Sequence, residues 1–376
     1  MNILIITSLY PAYHGHSVKE ISYAIHNVVK EIKRIKGYNI RVFRPIYIPS
    51  KNIEKYQKHF ILDEVDIYNK YLLKLPKTNI IFKRDIIFDL KKDNYIPNIV
   101  ISEMPDSYRI GLYVAKYFSA KFIIALNQSD LSYIMKSSKS EKFLFSSYKI
   151  ICRSWQIQNK LSKYMPKYKD KMFVGYFGID ENEIEDEQFL IKRIDSWKSK
   201  TEINFVSVCL LQKLKNIDIN VQALSKLKDV NWKYTIIGDG EERKSIEDII
   251  HNYGLEKRIT ILGMLDRQEV LKLLKESDIF LMVSAPETFG LAYLEAMAKG
   301  NIVFCSKGWG IDGAIIDGEN GFIVEPKNAE QLYMKICKFL NLEFSYKAKL
   351  LLNSYKTVKM LTNRMAAENF LKNIAQ

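Results

Sequence analysis

The run Ser284-Ala285-Pro286-Glu287-Thr288-Phe289-Gly290-Leu291-Ala292-Tyr293-Leu294-Glu295-Ala296-Met297-Ala298-Lys299-Gly300 decides how the chain is read. Ahead of it, Ile279-Phe280-Leu281-Met282-Val283 is an unbroken apolar stretch of strand length, the pattern of a strand buried on both faces. Pro286 and Gly290 interrupt regular structure, and good helix formers then run from Leu291 to Lys299, with Gly300 as a stop. Strand, loop and helix therefore follow one another, with Glu287 in the loop and Glu295 inside the helix. The first-turn amides around Phe289 to Ala292 are predicted to point out of the carboxyl edge of a sheet, where open N–H groups and the helix dipole favour an anion. Two glutamates on their own suit a solvated loop and a capped surface helix, so the flanking sequence has to decide.

After Gly300 comes another apolar strand, Ile302-Val303-Phe304-Cys305, then the glycine turn Gly308-Trp309-Gly310, then Asp317-Gly318-Glu319-Asn320-Gly321-Phe322. This ordered set resembles the donor-binding half of GT-B glycosyltransferases, family 4 of the retaining kind. The family's motif is Glu, seven residues, Glu, with Phe-Gly close behind the first Glu. Upstream, Cys209-Leu210-Leu211-Gln212-Lys213-Leu214-Lys215-Asn216-Ile217-Asp218 follows the strand Asn204-Phe205-Val206-Ser207-Val208. It resembles the family's Gly-Arg-Leu, three residues, Lys-Gly-x-Asp, which makes Lys215 the diphosphate-binding lysine and leaves Leu210 where the partner arginine belongs. Gly238-Asp239-Gly240 after the strand Tyr234 to Ile237 matches the family's Gly-Asp-Gly turn, whereas as a dinucleotide fingerprint it lacks a third glycine. The stretch Arg258 to Gly263 is where the family borders the nucleotide base.

The first half also alternates strands and helices. Ile3 to Thr7 is a strand, a loop runs from Ser8 to His16, and a helix is expected with Val18, Ile21, Ile25, Val28, Val29 and Ile32 on one face. The strand Asn39 to Phe43 follows, which implies a parallel sheet. Gly15 matches the family's glycine-rich loop near the donor diphosphate, although the double glycine is missing, and His16 goes with it on the acceptor side; an ordinary βα loop is the alternative. After the strand Lys121 to Leu126 stands Asn127-Gln128-Ser129-Asp130. Many members have His-Gly-Ser-Asp here, the histidine near the donor sugar; Asn127 can hydrogen-bond a sugar hydroxyl but cannot shuttle a proton. Asp130 is an acceptor-side residue by the resemblance and a helix N-cap by its residue type.

Residues 51–92 interleave Phe60, Leu62, Tyr68, Leu72 and Phe82 with Lys55, Lys58, Lys70, Lys74, Lys77, Lys83 and Arg84. That suits either an amphipathic surface on anionic lipid or a solvated helix pair. Residues 1–180 hold 30 Lys/Arg against 15 Asp/Glu and the remainder 27 against 28, so the first half is expected to face something anionic. The start at Met1 reads as a strand and not a signal peptide. No apolar run reaches the roughly 18 residues that span a bilayer. Cys152, Cys209, Cys305 and Cys337 are scattered without metal spacing, as for free thiols in a reducing cytoplasm. No nucleic-acid motif accompanies the charge.

The resemblance implies an α/β chain of two doubly wound Rossmann-like domains facing a cleft. Residues 1–180 are then the acceptor side, 181–359 bind the nucleotide sugar, and a helix at about 360–376 crosses back. The implied activity is retaining transfer of a hexose from a nucleotide sugar, UDP-linked, to a saccharide or lipid-linked saccharide acceptor in bacterial surface polysaccharide (capsule, O-antigen or lipopolysaccharide) synthesis. Catalytic residues are Glu287 and Lys215; donor-binding residues are Glu295, Phe289, Gly290, Leu291, Gly238, Gly15 and Asn127. No metal or other cofactor is expected, and the place of work is the cytoplasmic face of the cell membrane, held peripherally. A nucleotide-sugar epimerase of the same fold and a non-catalytic nucleotide-sugar-binding protein are the alternatives, the second suggested by Leu210 and Asn127.

Overall fold

A computed structural model of the chain describes residues 1–16, 21–35, 37–48, 56–73, 78–136 and 138–375. The chain divides into two compact units, one of Met1–Gly178 with Asn363–Gln376 and one of Ile179–Thr362.

The first unit runs β1 (Asn2–Thr7), α1 (Ala24–Arg34), β2 (Asn39–Ile48), β3 (His59–Leu62), β4 (Val65–Leu73), α2 (Thr78–Lys92), β5 (Ile99–Glu103), α3 (Pro105–Phe118), β6 (Lys121–Leu126), α4 (Gln128–Lys136), α5 (Ser138–Ser146), β7 (Lys149–Cys152), α6 (Trp155–Tyr164) and β8 (Met172–Val174). Its sheet is ordered β3-β4-β2-β1-β5-β6-β7-β8, parallel except for β3 against β4. Strands such as Ile3 to Ile6 and Ile99 to Ile101 are apolar and buried throughout, because helices cover both faces of a doubly wound sheet.

Two expectations change here. The helix expected from Val18 begins at Ala24, and Val18 itself lies outside the described residues. Residues 59–73 are not part of a helix pair but an antiparallel ribbon, and α2 starts only at Thr78. The cause is the turn Asp63-Glu64, with φ of 44° and 63°, the doubly left-handed geometry that matches strand twist in a two-residue hairpin. Lys55, Lys74 and Lys77 lie outside the described residues.

The second unit runs α7 (Glu187–Ser196), β9 (Ile203–Val208), α8 (Ile217–Leu224), β10 (Trp232–Ile237), α9 (Arg243–Asn252), β11 (Ile259–Gly263), α10 (Arg267–Glu276), β12 (Ile279–Met282), α11 (Leu291–Ala298), β13 (Ile302–Ser306), β14 (Phe322–Val324), α12 (Ala329–Leu340) and α13 (Phe344–Lys359). All six strands are parallel in the order β11-β10-β9-β12-β13-β14. Phe205, Trp232, Leu281, Phe304 and Phe322 fill its core, Phe304 stacked on Phe322 with centroids 4.7 Å apart. The order reverses between β9 and β12, and ligands of open α/β sheets bind outside the carboxyl ends at such a reversal.

The last helix, α14 (Asn363–Ala375), returns to the first unit. Phe370, Leu371 and Ile374 are buried there, each contributing about 1.5–3 kcal/mol of burial, and Asn369 Nδ2 donates to Val174 O at 2.8 Å.

Candidate functional site

The loops that follow β9 and β12 clasp each other at the strand-order reversal. Ala285 N donates to Leu214 O (2.8 Å) and Asn216 Nδ2 to Val283 O (2.7 Å). Asn216 reaches that position through a left-handed backbone, φ 51°, which asparagine tolerates better than most residues. Lys215 and Glu287 are thereby brought together, Lys215 Nζ standing 2.6 Å from Glu287 Oε2 with side chains only 16% and 13% exposed. Glu287 also accepts from Thr288 N at 3.0 Å through Oε1 and from Ser284 Oγ at 3.3 Å through Oε2. The glycine turn leans on the same residue, Gly310 N donating to Glu287 O at 3.2 Å.

Gly290 ends this loop with φ 81° and opens α11. A Cβ there would meet Tyr293 ring carbons at 2.6 and 2.7 Å, so both the backbone and the packing require glycine. Leu291 is the first residue of α11, and its amide with that of Ala292 belongs to the first turn, where no partner inside the helix exists. Phe289 is 2% exposed, so only its backbone can face a ligand.

Further along α11, Glu295 is 9% exposed and accepts from Arg267 Nη1 at 2.8 Å. Arg267 in turn binds Glu183, with Nε and Nη2 on Oε1 (3.0 and 2.7 Å) and Nη2 on Oε2 (2.7 Å). Burial alone lowers the Arg267 pKa, but the two carboxylates outweigh it and hold the guanidinium well above its usual range.

Gly238 sits on the neighbouring turn, where a Cβ would lie 1.8 Å from Cys209 O. Its service is to let the exits of β9 and β10 touch. Leu210, at the place of the family's arginine, is 50% exposed, and Arg243, the first residue of α9, is held by Asp239 and Glu247. Among the described residues no group of three or more His, Cys, Asp or Glu is placed to hold a metal ion.

The remaining candidates belong to the first unit. Gly15 has φ 73° with open space where a Cβ would be. His16 is buried, stacked on Tyr13 at 4.4 Å, its Nδ1 accepting from Ala12 N at 3.2 Å. Asn127 gives its Nδ2 hydrogen to Glu103 Oε1 (3.0 Å) and its backbone N–H to Asp130 Oδ2 (2.8 Å). Asp130 is fully buried, also accepts from Tyr108 OH and Ser129 Oγ at 3.2 Å each, and has its pKa pushed up to about 6, chiefly by burial. The structure therefore places Asp130 inside the β6–α4 turn as a positioning group for Asn127, and not on an acceptor-facing surface.

Three arrangements escaped the sequence reading. Glu103, at the carboxyl end of β5, pairs with Arg153 in the interior through Nη2–Oε2 at 2.6 Å and Nε–Oε1 at 2.8 Å. His26, 1% exposed, joins Tyr10 OH (2.8 Å at Nδ1) to Asp63 Oδ2 (3.0 Å at Nε2), and burial lowers its pKa. Arg267 is the third. A charged residue directly after an apolar strand was the available signal for Glu103 and Arg153; His26 and Arg267 carried none.

A family profile described as Glycosyl transferases group 1 matches residues 190–357. An uncharacterized glycosyltransferase of Methanocaldococcus jannaschii is 27% identical over 356 residues, 91% of this chain and 90% of the relative. Among solved structures, Anabaena HepE in complex with UDP superposes with a TM-score of 0.71 at 16% identity over all of both chains. The apo form of the lipopolysaccharide outer core galactosyltransferase WaaB gives 0.70 at 17% identity, covering 100% of this chain and 99% of that one.

Proposed function

We propose, from the premise that this chain is a GT-B glycosyltransferase of the group 1 family, that it moves a hexose from a UDP-linked sugar to a saccharide acceptor with retention at the anomeric carbon. The observation that carries this reading is the Lys215–Glu287 pair beside the start of α11. Breaking the bond from the anomeric carbon to the diphosphate sends its electron pair to a phosphate oxygen. Lys215 and the Leu291 and Ala292 amides supply fixed positive potential for that charge, the kind of preorganised stabilisation worth about 2.7–4 kcal/mol per donor. Glu287, relieved of Lys215 when the diphosphate takes it, accepts hydroxyls of the transferred sugar and favours the positive anomeric carbon. The acceptor hydroxyl forms the new bond and its proton leaves to the departing phosphate. Glu295 accepts from the ribose hydroxyls, since a carboxylate's two oxygens match a vicinal diol.

The similarity to WaaB, a lipopolysaccharide outer core galactosyltransferase, supports a saccharide acceptor, and the similarity to HepE, solved with UDP, supports a UDP-linked donor; surface polysaccharide synthesis is the setting we assign. The first unit supports peripheral attachment to anionic lipid at the cytoplasmic face. Its helices expose Phe88, Tyr117 and Phe145, with Lys91 over Tyr117 and Lys171 over Phe145. No helix among the described residues is long and apolar enough to cross a membrane. The test is a panel of nucleotide sugars with saccharide acceptors, reading released nucleoside diphosphate in the presence of a chelator. Acceptor-dependent UDP release, insensitive to the chelator and lost in Lys215→Ala, is expected. Donor turnover without acceptor would point to an epimerase, and a Mn²⁺ requirement would overturn the metal-independent scheme.

A further inference from the structure

We infer that Arg267 is a positioning residue for the donor, fixing the Glu295 carboxylate for the ribose hydroxyls while Glu183 fixes Arg267. The inference rests on the reading that Glu295 faces the ribose. Its basis is a chain of contacts within the second unit that joins three segments remote in sequence.

A carboxylate as shielded as Glu295, 9% exposed, is costly unless a counter-charge and hydrogen bonds accompany it. Arg267 supplies both through one nitrogen, Nη1 on Oε1 at 2.8 Å. That contact alone would leave a long, half-exposed side chain free to wander. Glu183 prevents this by taking the opposite edge of the guanidinium with both of its oxygens, in three contacts of 2.7 to 3.0 Å. A planar guanidinium gripped along one edge by a carboxylate has a set plane and direction. The backbone of Arg267 is fixed as well. It is the first residue of α10, whose N-cap Asp266 accepts from Glu269 N while Glu269 Oε2 accepts from Asp266 N.

The consequence for Glu295 is specific. One lone pair of Oε1 is committed to Arg267, so Oε2 and the rest of Oε1 are presented as acceptors in a single orientation. A vicinal diol has two hydroxyl donors and needs two acceptors at a set spacing. An Arg267 variant should therefore lose recognition of the hydroxyls and keep recognition of the diphosphate, which belongs to Lys215 and the α11 amides.

The experiment is calorimetric titration of the full chain. UDP, ADP and GDP are titrated first to fix the base, and the 2′,3′-dideoxy form of the best binder is the matched probe. Wild type should prefer the ribose form by roughly tenfold or more, the worth of a hydrogen bond to a charged group. Arg267→Ala and Glu183→Gln should bring the two affinities together by weakening the ribose form alone. Arg267→Lys, which keeps the charge but not the planar fork, should recover little. Unchanged affinity for the dideoxy form shows in the same titration that each variant is folded. If Arg267→Ala discriminates as wild type does, the inference fails while the ribose reading stands. If wild type itself binds both forms equally, the ribose reading of Glu295 fails and this inference with it. If Arg267→Ala binds neither, Glu183→Gln decides, and full discrimination there overturns the positioning role.

Discussion

Replacing Lys215 by methionine tests whether its pair with Glu287 serves the fold or the chemistry, because the two predict different answers from a second substitution. Breaking a fully buried pair costs about 3–5 kcal/mol and an exposed one at most about 1 kcal/mol. Here the side chains are 16% and 13% exposed, and Glu287 keeps Thr288 N and Ser284 Oγ as donors. The expected loss of stability is therefore about 1–3 kcal/mol. For a domain of this size that is a fall in Tm of about 2–12 °C. Adding Glu287→Gln removes the stranded charge and should restore most of the Tm. Catalysis should behave otherwise. Lys215→Met removes a charge-stabilising donor, so kcat should fall by about 10²–10³-fold, and the double variant should be no faster. The assays are thermal melts of the four proteins of the cycle and their acceptor-dependent release of nucleoside diphosphate. A double variant that regains activity along with stability, or a Lys215→Met enzyme within tenfold of wild type, would refute the assignment of Lys215 to the leaving group.

Gly290→Ala should destabilise the protein by about 2–5 kcal/mol, the sum of a left-handed Cβ and its overlap with the Tyr293 ring; a urea melt within about 0.5 kcal/mol of wild type would contradict the geometry. Asp130, with a folded pKa raised to about 6, binds its proton more tightly folded than unfolded, so its contribution is full below about pH 4 and is lost as pH rises to about 6. The loss is roughly 1–3 kcal/mol, and Asp130→Asn should flatten stability over that window when melts of both proteins are compared. For the membrane, each well-placed basic residue is worth about 1 kcal/mol near an anionic leaflet. The full chain should sediment with anionic vesicles at low salt and stay in solution at high salt, and its binding should weaken when the exposed Lys91 of α2, Lys142 of α5, Lys163 of α6 and Lys169 just after α6 become Ser. Retention in the supernatant at low salt would count against lipid attachment.

What could be read from the sequence was local order, and what could not was the choice of distant partners. The succession of apolar strand, loop and helix around Glu287 is set by neighbouring residues, and the structure has it with α11 at Leu291–Ala298. The ribbon of β3 and β4 was missed because Asp63-Glu64 lacks the Asn-Gly or Asp-Gly signature, though its backbone takes the same left-handed turn. The charge of Lys70 was counted as free for a lipid surface, whereas it pairs with Asp89 of α2. That partner appears only once β4 and α2 are placed.

The Glu103–Arg153 pair shows what kind of knowledge closes the gap. Each residue stands at the end of an apolar strand, a place where a charge commonly meets water, and neither names the other. Sheet order does. Glu103 is in register with Ala125 on β6, and Leu126 is in register with Cys152 on β7. Arg153 therefore emerges two strands from Glu103, about 9–10 Å across, a gap that an arginine side chain spans and a lysine spans with less to offer at the end. The same carboxylate then takes one of the two N–H donors of the Asn127 amide, leaving one N–H and the carbonyl oxygen to be offered. Asn127 stands where many members of the family carry a histidine, and the arrangement leaves its carbonyl oxygen to accept a hydroxyl hydrogen. A change to Asp sets a second carboxylate against Glu103 and should lower activity most, whereas a change to His can keep one ring nitrogen on Glu103 as a donor and offer the other as an acceptor. Activity of Asn127→His above that of wild type would show that this position wants a base and that the amide is the poorer substitute.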